Sequence, residues 1–299
     1  MSFAIVLGFP RSGTTLLRQL LDAHDQISCP PEPWLTTAAA RFITETPSNG
    51  PSIGVLTGLG FSDIPEEDIL APLREMVLAH HRRIADGAPV MVEKSGFDGF
   101  YVDQLETLFG GHAKFVCLWR NPLAVAASMR DLEQRMGVIM PELARWRAGA
   151  DRDVVAYARA WVEVSARLRA LAERRAADCL RLTFEDLVSD PQTQLNRVYR
   201  FLGVADSARD TLATALSGRA APGLGDWKVS ERSQIDPAAA QGWKRKLNRQ
   251  EIAEITPILA AEMERLGYVP PKPPKLPDRQ ATITQLRLMN RMARKPGAS

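Results

Sequence analysis

Gly8-Phe9-Pro10-Arg11-Ser12-Gly13-Thr14-Thr15 decides the fold, because it follows the apolar run Phe3-Ala4-Ile5-Val6-Leu7 and opens onto Leu16-Leu17-Arg18-Gln19-Leu20-Leu21. A β-rich run, a tight loop and an amphipathic helical stretch in that order make phosphate-binding architecture. Gly8 and Gly13 admit positive φ and close backbone approach, so successive N–H groups can converge on one concavity at the helix N-terminus. Thr14 and Thr15 add hydroxyl donors. Arg11 adds a planar fork of donors that fits phosphate or sulfate oxygens and stays charged at any working pH.

The loop resembles the P-loop pattern G-x-x-x-x-G-K-[ST] with one departure: Thr14 stands where lysine is usual, and Arg11 is the loop's only cation. The expected anion is therefore not an ordinary nucleoside triphosphate. The chain has 299 residues, 45% of them hydrophobic, enough for a substantial core in one large domain. A net charge of +3 suits an anionic nucleotide and is too small for a nucleic-acid footprint, so no nucleic acid is expected. Cys29, Cys117 and Cys179 show no C-x-x-C spacing, which reads as reduced thiols without a zinc site. The first strand begins directly after Met1-Ser2 and no apolar run approaches membrane-spanning length, so a cytoplasmic protein with no membrane span is expected.

Further β-rich runs at Val90 to Val92, Phe115 to Trp119 and Cys179 to Leu182 alternate with helical patterns. The spacing predicts helices over 67–85, 151–176, 190–202, 206–217 and 249–266, with Pro191 in a first helical turn after a Ser189 cap. The fold class is α/β: a P-loop-like parallel sheet flanked by helices on both faces. Polar residues gather where the strands end, which is where such sheets bind ligands. Residues 44–66, rich in Gly, Pro, Ser and Thr, read as a long loop or variable insert within a domain of residues 1–269. Residues 270–299 read as a Pro-rich linker and a basic amphipathic tail around Ile283, Leu286, Met289 and Met292, whose short stripe suits docking on the domain or a homodimer contact better than contact with a membrane surface.

After the third of these runs comes Arg120-Asn121-Pro122, with Ser128 further on. Asn121 caps a helix whose first position is Pro122, and Arg120 sits beside its N-terminus. Ser128 lies roughly 9 Å along the axis at about 1.5 Å per residue, so the two either bracket a second anion rather than the first, implying a doubly phosphorylated ligand, or are a structural ion-pair arginine and a small packing residue.

Pro10-Arg11-Ser12-Gly13-Thr14-Thr15-Leu16-Leu17 and Arg120-Asn121-Pro122 with Ser128 resemble the two donor-binding motifs of sulfotransferases that use 3′-phosphoadenosine 5′-phosphosulfate (PAPS). Glu185-Asp186-Leu187, Gly225-Asp226-Trp227-Lys228 and Gly242-Trp243-Lys244 extend the resemblance over roughly residues 3 to 268. It implies that Arg11, Ser12, Gly13, Thr14 and Thr15 hold the 5′-phosphosulfate and that Arg120 and Ser128 hold the 3′-phosphate. Lys94 either reaches the bridging or sulfuryl oxygens or is a solvated strand-end lysine. Trp227 either stacks on the adenine, with Lys228 on phosphate, or is an ordinary core aromatic.

Sulfuryl transfer needs cations at the leaving phosphate and a base for the acceptor hydroxyl, and no metal in principle. Glu185 and Asp186 are the nearest metal candidates, yet Thr183-x-x-Asp186 also reads as a helix cap. The segment Asp22 to Pro33 is similar to the corresponding segment of tyrosylprotein sulfotransferases, which implies Glu32 as the base. Glu32 otherwise reads as a solvated loop acid, and Asp98 is the reserve candidate. Among the histidines, His24 ends the first helix as a dipole partner, His80 and His81 lie on an exposed helix face, and His112 lies in a loop. The acceptor class stays open among small-molecule, carbohydrate, lipid and peptide hydroxyls. Trp34, Leu35, Phe42, Trp146 and Trp161 either line an apolar acceptor pocket or belong to the core. The competing classes are a Mg²⁺-dependent P-loop kinase or ATPase and a non-catalytic nucleotide-binding scaffold.

Overall fold

The computed structural model describes residues 1–137, 140–205, 210–217 and 235–272. Trp227, Lys228, the tail around Ile283 to Met292 and all but the first residues of the Pro-rich linker lie outside them. Five parallel strands, β1 (Ser2–Leu7), β2 (Ile27–Ser28), β3 (Val90–Glu93), β4 (Lys114–Trp119) and β5 (Cys179–Thr183), form one sheet in the order β2-β3-β1-β4-β5. Each crossover is helical: α1 (Thr14–Asp22), then α2 (Leu35–Phe42), α3 (Val55–Phe61) and α4 (Glu67–Ile84), then α5 (Val102–Phe109). After β4 come α6 (Pro122–Met136), α7 (Ala144–Arg147) and α8 (Asp153–Arg174). After β5 come α9 (Phe184–Ser189), α10 (Pro191–Leu202), α11 (Thr211–Leu216), α12 (Trp243–Lys246) and α13 (Arg249–Arg265).

Side chains alternate between the two faces of a strand, and both faces here are apolar. Phe3, Ile5 and Leu7 of β1 pack with Phe115, Cys117 and Trp119 of β4 beneath α4, α5, α6, α8 and α13. Ala4 and Val6 pack with Val116 and Leu118 beneath α1, α10 and α11. Helices therefore cover both faces, as the sequence pattern predicts. Trp161 is a fully buried member of the first core and contributes nothing to an acceptor pocket.

Three details depart from the sequence reading. The 44–66 stretch contains a Thr46–Ile53 bridge and the helix α3 rather than being loop throughout. The cap of α10 is Asp190, whose carboxylate accepts from Thr193 N at 3.2 Å, and Pro191 is the first helical residue. His81 is fully buried rather than exposed. Leu70, Arg74, Val77 and His81 form the inward stripe of α4, and the four- and three-residue steps between them carry His81 into the core while His80 stays outside.

Candidate active site

The loop between β1 and α1 turns on Ser12 N–H to Phe9 C=O at 3.0 Å and enters the helix through Gly13 at φ 98°. A Cβ at Gly13 would lie 2.3 Å from Phe184 Cδ2, and one at Gly8 would lie 2.8 Å from Leu118 O, so both glycines are sterically required. Arg11 adopts φ 72°, a left-handed value that an arginine holds only when its surroundings fix it. No side chain caps α1, and no acidic residue lies in its first turn, so its N-terminal dipole faces the loop. Ser12 Oγ is buried without a hydrogen-bond partner among the described residues, a donor fit for an anion oxygen.

The second motif closes on the first. Asn121 caps α6 by accepting from Leu123 N at 3.0 Å with Pro122 at the first position, as its sequence predicts. Arg120 donates to Arg11 O at 2.9 Å and to Ala239 O at 3.0 Å, and its guanidinium lies 4.0 Å over the Phe184 ring. Arg11 Nε donates to Ser128 Oγ at 3.2 Å. Arg11, Thr14, Thr15, Arg120 and Ser128 thus face one cavity of about 230 Å³, extended by Phe184, Trp243 and Arg245. Arg11 and Ser128, expected from the sequence at two different anions, line one cavity and are bonded to each other. Trp243 and Arg245 enter it from α12, a contact that sequence spacing could not supply.

Beside Thr15 lies a buried charge pair. Lys94, at the end of β3, donates to Thr15 Oγ1 at 2.8 Å and pairs with Glu32 Oε1, with side-chain exposures of 2% and 8%. Lys94 is therefore not a solvated strand-end lysine, and Glu32 is not a solvated loop acid. Glu32 Oε2 accepts from Trp34 Nε1 at 3.2 Å. Glu32 and Trp34 both adopt left-handed backbone, φ 28° and 58°, on either side of Pro33.

Asp98 stands apart from this pair, fully buried below α2. Thr36 Oγ1 lies 2.8 Å from its Oδ2 and Thr37 Oγ1 2.6 Å from its Oδ1. Burial, followed by the charge of Glu93, pushes the Asp98 carboxyl up to about 7 against the hydrogen bonds from the two threonines. Glu93 accepts from Thr36 N at 3.1 Å and pairs with His81. Burial opposes protonation of His81, yet its hydrogen bond to Glu93 and the Glu93 charge raise its pKa above the ordinary imidazole value. This buried set fastens the start of α2 to the end of β3. It was hidden in the sequence because its members are separated by up to 62 positions.

The other histidines lie away from the cavity. His24 packs on Tyr199 with ring centroids 4.4 Å apart and its Nε2 lies 3.1 Å from Ala205 O, while His112 is exposed before β4. Glu185 accepts from Asn121 N at 3.0 Å and from Tyr268 OH at 2.9 Å, and Asp186 completes the Thr183 cap. Both carboxylates thus have structural work. Among the described residues no cluster of three or more His, Cys, Asp or Glu side chains is arranged to hold a metal ion, and no helix is long and apolar enough to cross a membrane.

The comparisons with known proteins agree with this architecture. The family model described as "Sulfotransferase family" matches residues 4–210. Nodulation protein NoeE of Sinorhizobium fredii is 28% identical over 282 residues, covering 88% of this chain, while the chain spans 65% of NoeE. Protein-tyrosine sulfotransferase 1 of Danio rerio is 25% identical over 279 residues, 90% of this chain and 73% of that protein. Among solved structures, the sulfotransferase domain from the curacin biosynthetic pathway superposes with a TM-score of 0.61 at 20% identity, covering 90% of this chain and 99% of that one. With the strand–loop–helix motif, the parallel sheet and a family match across more than half its length, the chain belongs to the sulfotransferase family.

Proposed function

We propose that this protein transfers a sulfuryl group from PAPS to a hydroxyl of an acceptor by in-line displacement, with Glu32 as general base. The carrying observation is the convergence of Arg11, Arg120, Ser128 and the N-terminal end of α1 on one cavity, with a buried lysine–carboxylate pair joined to it through Thr15. Arg11, Ser12, Gly13, Thr14 and Thr15 would cradle the 5′-phosphosulfate, and the orphaned Ser12 hydroxyl and uncapped first turn of α1 fit such a group. Arg120 and Ser128 would bind the 3′-phosphate, and the apolar wall at Phe184 suits a purine. Trp227 and Lys228 belong to the same proposal by resemblance alone.

In this mechanism Glu32 takes the acceptor O–H proton as the acceptor oxygen forms its bond to sulfur. The bond between sulfur and the bridging phosphate oxygen breaks, and 3′-phosphoadenosine 5′-phosphate (PAP) leaves with the electron pair. Arg11 and Lys94 stabilise the negative charge on that leaving oxygen. The chain's own cations supply the charge neutralisation, so the reaction as proposed uses no metal. The hydroxyl belongs to a small molecule, carbohydrate, lipid or peptide.

Calorimetric titration with PAP, adenosine 5′-phosphate and ATP without added Mg²⁺, and with ATP again in the presence of Mg²⁺, tests the donor assignment. Micromolar binding of PAP with much weaker binding of the other two is the expected result. Tighter binding of ATP with Mg²⁺ would replace the reading with a kinase or ATPase, and PAP binding without turnover on any acceptor would leave a scaffold.

A further inference from the structure

Trp34 is a large aromatic that stays 38% exposed, in left-handed backbone, two residues from the base. Exposure and backbone strain are each unfavourable for such a residue, and strain of this kind persists where surrounding structure fixes it for use. What fixes it is visible. Its Nε1–H bonds Glu32 Oε2 at 3.2 Å, its ring meets Phe97 edge-on with centroids 5.8 Å apart, and the residue stands at the start of α2, which Thr36 and Thr37 fasten to Glu93 and Asp98.

Glu32 is then held at both oxygens. Lys94 pairs with Oε1, and the indole N–H occupies one lone pair of Oε2. A carboxylate oxygen has a second lone pair, so Oε2 keeps one direction in which to accept a proton. One edge of the indole is committed to the carboxylate while part of the residue stays exposed, and Phe97 meets the ring edge-on to form the second wall of an aromatic corner. Arg41 caps this corner, 5.6 Å from the Phe97 centroid and 5.7 Å from that of Tyr101, with its charge answered by Glu142.

Resting on the assignment of Glu32 as base, we infer that Trp34 is the positioning residue that aims Glu32 and is also the platform for the acceptor, which presents its hydroxyl on a ring. A ring face stacks on an exposed indole, whereas a flexible alkyl alcohol gains little there and loses more conformational freedom.

The test uses wild type, Trp34→Phe and Trp34→Ala, first titrated with PAP and then assayed for PAPS turnover. The acceptors are 4-nitrophenol, methyl β-D-glucoside and 1-hexanol. We expect PAP affinity unchanged in all three proteins, and at least one ring acceptor to exceed 1-hexanol by about tenfold or more in kcat/KM. Trp34→Ala raises the ring acceptor's KM and lowers kcat, each about tenfold. Trp34→Phe recovers KM, because a ring is back, but not kcat. The phenol and glucoside arms tell an aromatic ring from a sugar ring.

A Trp34→Phe enzyme that matches wild type in kcat as well as KM overturns the positioning role. Equal use of 1-hexanol, or no turnover of either ring acceptor by protein that binds PAP, overturns the ring acceptor while the donor site stands. Failure of wild type to bind PAP removes the donor assignment and this inference with it.

Discussion

Lys94→Met should destabilise the protein far more than removal of one hydrogen bond, and Glu32→Gln in the same chain should return part of the loss instead of adding to it. The reason is the burial of the pair: Lys94 and Glu32 are 2% and 8% exposed, so deleting the ammonium leaves a carboxylate out of water with Trp34 Nε1 as its remaining donor. Breaking a buried pair by removing one partner costs about 3–5 kcal/mol, and the residual exposure and indole bond of Glu32 place Lys94→Met near the lower figure, about 3 kcal/mol. Glu32→Gln strands the lysine less, because Thr15 Oγ1 at 2.8 Å still accepts from it, so about 2 kcal/mol is expected. The double variant carries no unpaired buried charge and should sit within about 2 kcal/mol of wild type, giving an interaction energy of about 3 kcal/mol. Urea unfolding of the four proteins without donor measures the cycle. The same proteins titrated with PAP add a functional reading: Glu32→Gln should bind PAP as well as wild type or better, since Lys94 is released toward the anion, and Lys94→Met about tenfold worse. Single-variant costs that simply add, within about 0.5 kcal/mol, would refute the buried pair as the organising contact at the edge of the cavity.

Arg11→Ala should reduce PAPS turnover by a factor of at least about 100, the scale for losing a preorganised donor at developing charge, and wild-type turnover would remove Arg11 from the site. Arg120→Ala should weaken PAP binding while leaving adenosine 5′-phosphate binding nearly unchanged, erasing the preference for the 3′-phosphate; equal losses on both ligands would assign Arg120 elsewhere. Gly13→Ala should cost about 2–4 kcal/mol in unfolding experiments, from left-handed backbone at φ 98° and a Cβ 2.3 Å from Phe184 Cδ2. Phe184→Leu in that background should recover the steric part alone. Asp98, whose folded-state carboxyl is raised to about 7 from an ordinary 3.8, favours the fold in its protonated form. Its contribution is fully present below about pH 4 and is lost as pH rises through 7, so wild type minus Asp98→Asn should show stability falling across that window, and a flat difference would refute it.

What the sequence made legible was what local chemistry dictates. β1, β3 and β4 are largely apolar runs buried on both faces, β5 is an edge strand that alternates apolar residues with the exposed Arg181, and the loop at Gly8 to Thr15 declares itself by glycine and hydroxyl spacing. β2 is two residues long and exists through Ile27 pairing with Val90 and Ser28 with Met91, so its signal lies in β3 rather than in itself. α3 carries Gly58 and Gly60 and buries none of its residues, which deprives it of helical periodicity. His81 was legible and misread: its place in the stripe from Leu70 is the inward one. The Thr36, Thr37, Glu93 and Asp98 set has no local signature, because its bonds exist only once α2 lies on the end of β3.

That set also accounts for where the strain sits. Among the described residues the non-glycine positions with positive φ are Arg11, Glu32, Trp34, Asp63 and Asp86; Arg11 lines the cavity, and Glu32 and Trp34 are tied to it through Lys94 and Thr15. A strained loop holds its shape when both of its ends are anchored. Arg11 lies between the sheet and α1, and Gly99 packs onto the start of its loop so closely that a Cβ there would lie 2.2 Å from Gly8 O. Glu32 and Trp34 lie between β2 and α2, and α2 is fixed by charged and hydroxyl groups with no exposed surface. The two anchors are built from the same stretch of chain, Glu93 to Gly99, which also carries Lys94. Donor loop, lysine and base are thus referenced to one strand end, and their relative positions are set by the packing of α2 and the loop onto it rather than by either loop alone.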